Sequence, residues 1–225
     1  VLVAGSACNA AAEQAASLCE AAGDDIGLGR ARWLIAFAHT RLSDTGASRT
    51  AAQRAVELAR RAGDDYGLAN ALNVLSFSST DIAERMSLLR QAAQAFERAG
   101  HVFGQMNVVG NLSLAFAELG LWRRACRLGE ECIAQAERAG APLNVALEMG
   151  VVLWWQIALG DVAGARARWP AYDALVSALD EPVTRSDREL WASALALAEG
   201  NAGGALRRLR AFLRQVRATN PGFEL

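Results

Sequence analysis

The sequence predicts an all-α fold of about eleven helices, paired into hairpins that repeat roughly every 40 residues and stack as a right-handed αα-superhelix. Three observations carry that expectation. Alanine supplies 48 of the 225 residues and proline only four, which is the composition of a helical chain. The dipeptide Ala-Gly recurs at Ala22-Gly23, Ala62-Gly63, Ala99-Gly100 and Ala139-Gly140, at spacings of 40, 37 and 40. A second set of glycines, Gly120, Gly160 and Gly200, follows the same 40-residue beat, offset by 20. Each unit therefore divides into two helices, each closed by a glycine that takes a left-handed backbone without steric cost.

Taken in order, the pattern predicts helices over 7–21, 26–41, 47–61, 66–79, 83–98, 103–118, 122–138, 143–158, 162–178, 185–198 and 202–217. The units run 1–22 (partial), 23–62, 63–99, 100–139, 140–179 and 180–219, within one repeat domain over 1–225. The 37-residue spacing reflects a three-residue shortening around Ser78 to Asp81. Pro170 falls inside the ninth helix and is expected to kink or break it, since it removes a hydrogen bond and clashes with the preceding turn. Asn220-Pro221-Gly222 is expected to end the last helix. The first helix has no partner before it, and the chain starts at Val1 without a signal-peptide pattern; a cytoplasmic segment excised from a longer protein is expected.

Residues 22–31 and 62–71 share seven identities in ten. In both copies a pair of aspartates, Asp24-Asp25 and Asp64-Asp65, stands where a helix begins, suited to capping free amides and meeting the positive end of the dipole. A metal or acid/base pair is the alternative, but no His, Cys or third carboxylate stands nearby. The second helix of each pair carries small residues at i, i+4, i+7 and i+11: Cys8-Ala12-Ala15-Cys19, Ser48-Ala52-Ala55-Ala59 and Ala125-Gly129-Cys132-Ala136. Such a row lets a neighbouring helix approach closely. Three of the four cysteines lie in it, none forms a CxxC pair, and all read as structural thiols.

All 23 basic residues are arginine, so a lysine-dependent phosphate loop or Schiff base is excluded. Only His39 and His101 could serve a histidine site, and His39 reads better as a partly buried structural histidine. Net charge is −1, and no apolar run reaches membrane-spanning length. No membrane association, cofactor, metal or direct nucleic-acid contact is expected, and no enzymatic activity. The basic run Arg207, Arg208, Arg210, Arg214 and Arg217 reads as a solvated face.

The stretch from Asn111 to Ala125 resembles the tetratricopeptide repeat (TPR), with Ser113, Phe116, Gly120, Trp122 and Ala125 in the family's order and spacing. The next unit keeps Gly160 and Ala165 but has Leu153 and Gln156 at the small and aromatic positions. The units exceed the family's usual length of about 34 residues and mostly lack its closing proline. The chain is similar in this to the extended repeats of large bacterial LuxR-type and maltose-activator-like transcriptional regulators.

That resemblance implies that the first helix of each pair lines a concave inner wall. The family's inward positions fall on Arg30, Trp33, Phe37, Asn70, Asn73, Phe77, Asn107 and Trp154, with Arg41, Asp81, Leu114, Glu118, Leu147 and Ile157 alongside. Asparagine can bond both backbone groups of an extended peptide, and aromatics can fill side-chain pockets. Each named residue fits the core about as well as the groove; Trp154 and Trp155 face different ways, so at least one belongs to the core. The function expected is protein–protein interaction, with a peptide, a protein or another domain of the same polypeptide as partner. The alternative is a domain that senses a small-molecule effector inside the superhelix.

Overall fold

The computed structural model describes residues 2–219. Its helices are α1 (Leu2–Ala22), α2 (Asp25–Arg41), α3 (Thr45–Ala62), α4 (Asp65–Phe77), α5 (Ile82–Arg98), α6 (Val102–Glu118), α7 (Trp122–Arg138), α8 (Pro142–Ala158), α9 (Val162–Leu179), α10 (Pro182–Ala198) and α11 (Ala202–Thr219). The described residues contain no strand. Residues Asn220-Pro221-Gly222 lie outside the described part.

The chain gathers into two compact units, Val1–Leu112 and Ser113–Leu225. In the first, each helix from α1 to α4 packs on the next, α4 packs on α5, and α2 also touches α4. In the second, each helix from α7 to α11 packs on the next, and α8 also touches α10. Within each unit the first helices of two successive pairs are thus neighbours, α2 with α4 and α8 with α10.

The predicted glycines set the turns. Gly23, Gly63, Gly100, Gly120, Gly140, Gly160 and Gly200 all have φ between +63° and +82°. Two places in the same register lack glycine, and there Ser43 (φ 61°) and Asp180 (φ 51°) take the left-handed conformation against steric preference. At helix starts Asp24, Asp44, Asp81, Asp161 and Asn201 accept from backbone amides at 2.8–3.0 Å, and His101 Nδ1 accepts from Gly104 at 3.0 Å. A glycine often follows three residues after the capping residue. At Gly27 and Gly164 an added Cβ would lie 2.2 Å from the capping carboxylate, so the missing side chain makes room for the cap.

The small-residue rows of α3 and α7 are buried throughout: Ser48, Ala52, Ala55 and Ala59, then Ala125, Gly129, Cys132 and Ala136. At Gly129 an added Cβ would come within 2.5 Å of Val152, which shows how closely α8 approaches. The row in α1 departs from expectation. Ala12 and Ala16 are buried, while Cys8 and Ala15 are exposed. With only α2 and its neighbours to pack on, α1 buries an i, i+4 pair in the cluster of Leu28, Ala31, Ile35 and Leu58.

Two further expectations are corrected. α4 stops at Phe77, two residues before the predicted end, and Ser78 turns inward with its Oγ 3.2 Å from that of Ser48. α9 runs through Pro170 without a break. Ala165 on one side of the proline, and Tyr172 and Val176 on the other, are buried, so packing holds both halves on the core although the proline deprives one carbonyl of its amide.

Because Ser43 occupies a register position that is elsewhere glycine, Ser43→Gly should raise stability by about 0.5–1 kcal/mol in urea unfolding, and Gly120→Ser should lower it by about as much. Space is open around Gly120, so equal stability of both variants with the parent would remove left-handed strain as the cause.

Candidate functional site

In the first unit α2 and α4 pack side by side, and the groove residues named from the sequence are distributed over them in distinct ways. Phe37 and Phe77 hold the same register one repeat apart, and both are exposed, at 40% and 44%. Asn70 is half-buried and bonds its Nδ2 back to the carbonyl of Tyr66 one turn earlier, at 2.9 Å. Asn73 accepts from Asn111 Nδ2 at 2.9 Å, joining α4 to α6 through two side-chain amides. Asn107 is exposed. Trp33 is mostly buried, and its indole Nε1 has no hydrogen-bond partner among the described residues.

Arg30 departs most from a free groove cation. Its guanidinium makes two bonds to Asp64, at 2.8 and 2.9 Å, and lies over the Tyr66 ring at 5.2 Å. Asp64 is buried at the N-cap position of α4, and the Arg30 hydrogen bonds hold its carboxyl below the ordinary aspartate range. The second aspartate of each pair is also engaged: Asp25 with Arg61 at 3.0 Å, Asp65 with Arg98 at 2.7 Å. These contacts tie the start of one helix to the end of the next, and being exposed they add little individually. Asp24 is therefore a capping group as expected, whereas Asp64 makes no side-chain cap bond and clamps Arg30 instead. Asp81, placed among inward residues by its spacing, is the N-cap of α5.

In the second unit Trp154 is 42% exposed and pairs with Trp191, their ring centroids 6.2 Å apart. Its neighbour Trp155 is the core member of the Trp154-Trp155 dipeptide, fully buried. Trp191 was not selected by sequence spacing. Its indole lies across Gly150, where an added Cβ would come within 2.5 Å of Nε1, so the glycine admits the ring.

Two groups stand out electrostatically. Burial pushes the Cys132 thiol up to about 12, which keeps it neutral and unreactive. Glu148 occupies the register of Ala31, Ala71 and Val108, all core residues. Removal from water raises its carboxyl from 4.5 to about 7, and among the described residues no cation pairs with it. Aligning the repeats by their glycines would have exposed this carboxylate; a search for local motifs passes over it. No group of three His, Cys, Asp or Glu able to hold a metal occurs among the described residues. His39 sits 3.6 Å from Asp44. No helix of the described residues is long and apolar enough to cross a membrane.

With this geometry in place, the relatives are structural. No family model matches the chain, and no curated protein matches its sequence. BtubC from P. vanneervenii superposes with a TM-score of 0.75 at 16% identity, over 99% of this chain and 94% of that one. A Rap protein complexed with Competence and Sporulation Factor gives 0.75 at 11% identity, covering 85% of this chain and 54% of that one. TPR-like repeats of a kinesin light chain from Podosopora anserina give 0.65 at 13% identity, with 86% and 96% covered. The fold is an all-α, TPR-like helical repeat. Against the Rap protein, the chain spans about half the other's length.

The sign of the Glu148 effect follows from its raised value. Below pH 4.5 the group is neutral folded or unfolded and costs nothing; between 4.5 and about 7 only the unfolded chain ionises, so stability falls as pH rises. Glu148→Gln should remove that slope and gain on the order of 3 kcal/mol at pH 8 relative to pH 4. Urea unfolding at both pH values measures it, and a parent protein as stable at pH 8 as at pH 4, by the same margin as the variant, would refute it.

Proposed function

We propose that this chain is a protein-interaction module, binding an extended peptide or a segment of another domain along the inner helices of its repeats. One observation carries the reading. Phe37 and Phe77, in equivalent positions of successive first helices, leave large apolar surface exposed among the described residues. Asn70 and Asn107, in register with each other, add amides that can bond a peptide backbone. The Rap protein in complex with Competence and Sporulation Factor supports the reading by analogy of fold.

In the same proposal, the module is the helical-repeat region of a larger bacterial transcriptional regulator, working in the cytoplasm, with its partner being another part of that polypeptide or a separate protein. The near-neutral charge supports a protein partner over nucleic acid.

A second reading, the sensing of a small-molecule effector, is favoured by a largely apolar cavity of about 450 Å³ bordered by Pro142, Val145, Met149, Ala171 and Leu175. Its size suits a small organic molecule. A metabolite that raises the melting temperature by several degrees, and fails to do so in Met149→Trp, would favour it.

For the leading reading, the purified chain is panned against a random peptide library and the affinity of a selected peptide is measured. Phe37→Ser with Phe77→Ser should weaken binding at least tenfold. Both side chains are well exposed, so folding stability should change by only about 0.5 kcal/mol per site. Undiminished affinity in the double variant would overturn the groove.

A further inference from the structure

We infer that the inner face of the second unit recognises a cationic side chain, an arginine or lysine of a bound peptide, between Trp154, Trp191 and Asp187. The inference rests on the reading of the chain as a peptide-binding repeat and names the chemistry the second unit selects.

Three observations converge on this face. Trp154 and Trp191 come from different helices, α8 and α10, with ring centroids 6.2 Å apart and planes tilted by 36°. The tilt and the exposure of Trp154 leave indole surface open, and an indole face is the best partner among aromatics for a cation. Gly150 gives the pair its geometry, since a side chain there would strike the Trp191 indole.

The second observation is Asp187, one helical turn before Trp191 and so on the same face of α10. It holds the register of Arg30, Asn70, Asn107 and Leu147, the column that faces inward in the preceding repeats. Asp187 is half-buried, and no cation of the described residues pairs with it.

The third is that Arg188, next to Asp187 in sequence, and three further arginines of the unit are already engaged. Arg188 is bound to Asp173 and lies 3.7 Å from Glu189; Arg208 is 3.2 Å from Glu189; Arg185 is 3.1 Å from Asp180; Arg168 is bound to Glu130. Asp187 is left as a partly desolvated negative charge one helical turn from Trp191 and near enough to the Tyr172 phenol to act on it electrostatically. Burial holds its carboxyl above the ordinary aspartate range, as an uncompensated charge requires. A guanidinium or ammonium supplies the missing charge, while Leu147 and Val151, on the same face of α8 as Trp154, supply apolar surface for its methylene stem.

The test uses the full chain and two nonapeptides of alanine and glycine, one with a central arginine and one with glutamine there. Indole N–H resonances are followed by NMR and assigned with Trp154→Phe and Trp191→Phe. The arginine peptide should shift the Trp154 and Trp191 signals and bind at least tenfold more tightly than the glutamine peptide. Asp187→Asn should abolish that preference while leaving the melting temperature equal or higher, because it removes a desolvated charge. Equal binding of the two peptides, or an Asp187→Asn protein that melts lower and keeps the preference, would overturn the inference. N-acetyl-arginine amide binding as tightly as the peptide would overturn the peptide as the source of the cation. If Phe37→Ser with Phe77→Ser leaves the arginine preference intact, the failure belongs to the first unit's groove and not to this site.

Discussion

A pair of helices whose facing residues are alanine, serine and glycine cannot shelter its apolar side by itself. The rows Ser48-Ala52-Ala55-Ala59 and Ala125-Gly129-Cys132-Ala136 are buried only because a neighbouring helix comes close enough to cover them. That constraint spends the faces of every inner helix that point toward its own partner and toward the adjacent pair. Arg30, Phe37, Phe77, Asn107 and Trp154 belong to the face left over. The candidate surface is the remainder of a packing problem, which is why it recurs at the repeat period.

Much of this was legible because period and punctuation are local properties. The glycines mark the turns, the small rows mark the close approaches, and helix ends fall within a few residues of their expected places. Chemistry that depends on a partner was less visible. Arg30 reads as an inward cation until Asp64, 34 residues on, is found to hold it. Ala15 and Ala16 are indistinguishable in composition, and only the position of α2 decides that Ala16 is the buried one. Pro170 predicts a broken helix from local sterics, yet Tyr172 and Val176 are anchored well enough to carry the helix through. Trp191 acquires its place from Gly150 on another helix, a relation that no spacing within α10 encodes.

Arginine is the only strong base in the chain, and four arginines near helix ends, Arg49, Arg61, Arg98 and Arg166, are joined to carboxylates at neighbouring helices. This makes the unpaired acids of the second unit informative. Glu148 stands where other repeats place alanine or valine, and Asp187 stands where they place arginine, asparagine or leucine. Each is raised in pKa by burial as its sole cause. A desolvated carboxylate without a counter-ion costs stability, and proteins hold such costs most often at sites that act.

The inward column Arg30, Asn70, Asn107, Leu147, Asp187 then has a physical logic. Backbone geometry repeats, so each unit presents one side chain at an equivalent place, and changing that residue leaves the core untouched. In the first unit the column offers a neutralised guanidinium and two amides beside exposed phenylalanines, a surface for peptide backbone and apolar side chains. In the second it holds a leucine and a carboxylate one helical turn from Trp191, which the proposed reading takes as a surface for a cation. On the proposed reading, one fold read at one register would provide two different recognition chemistries, with selectivity varied along the chain at the cost of a single residue per repeat.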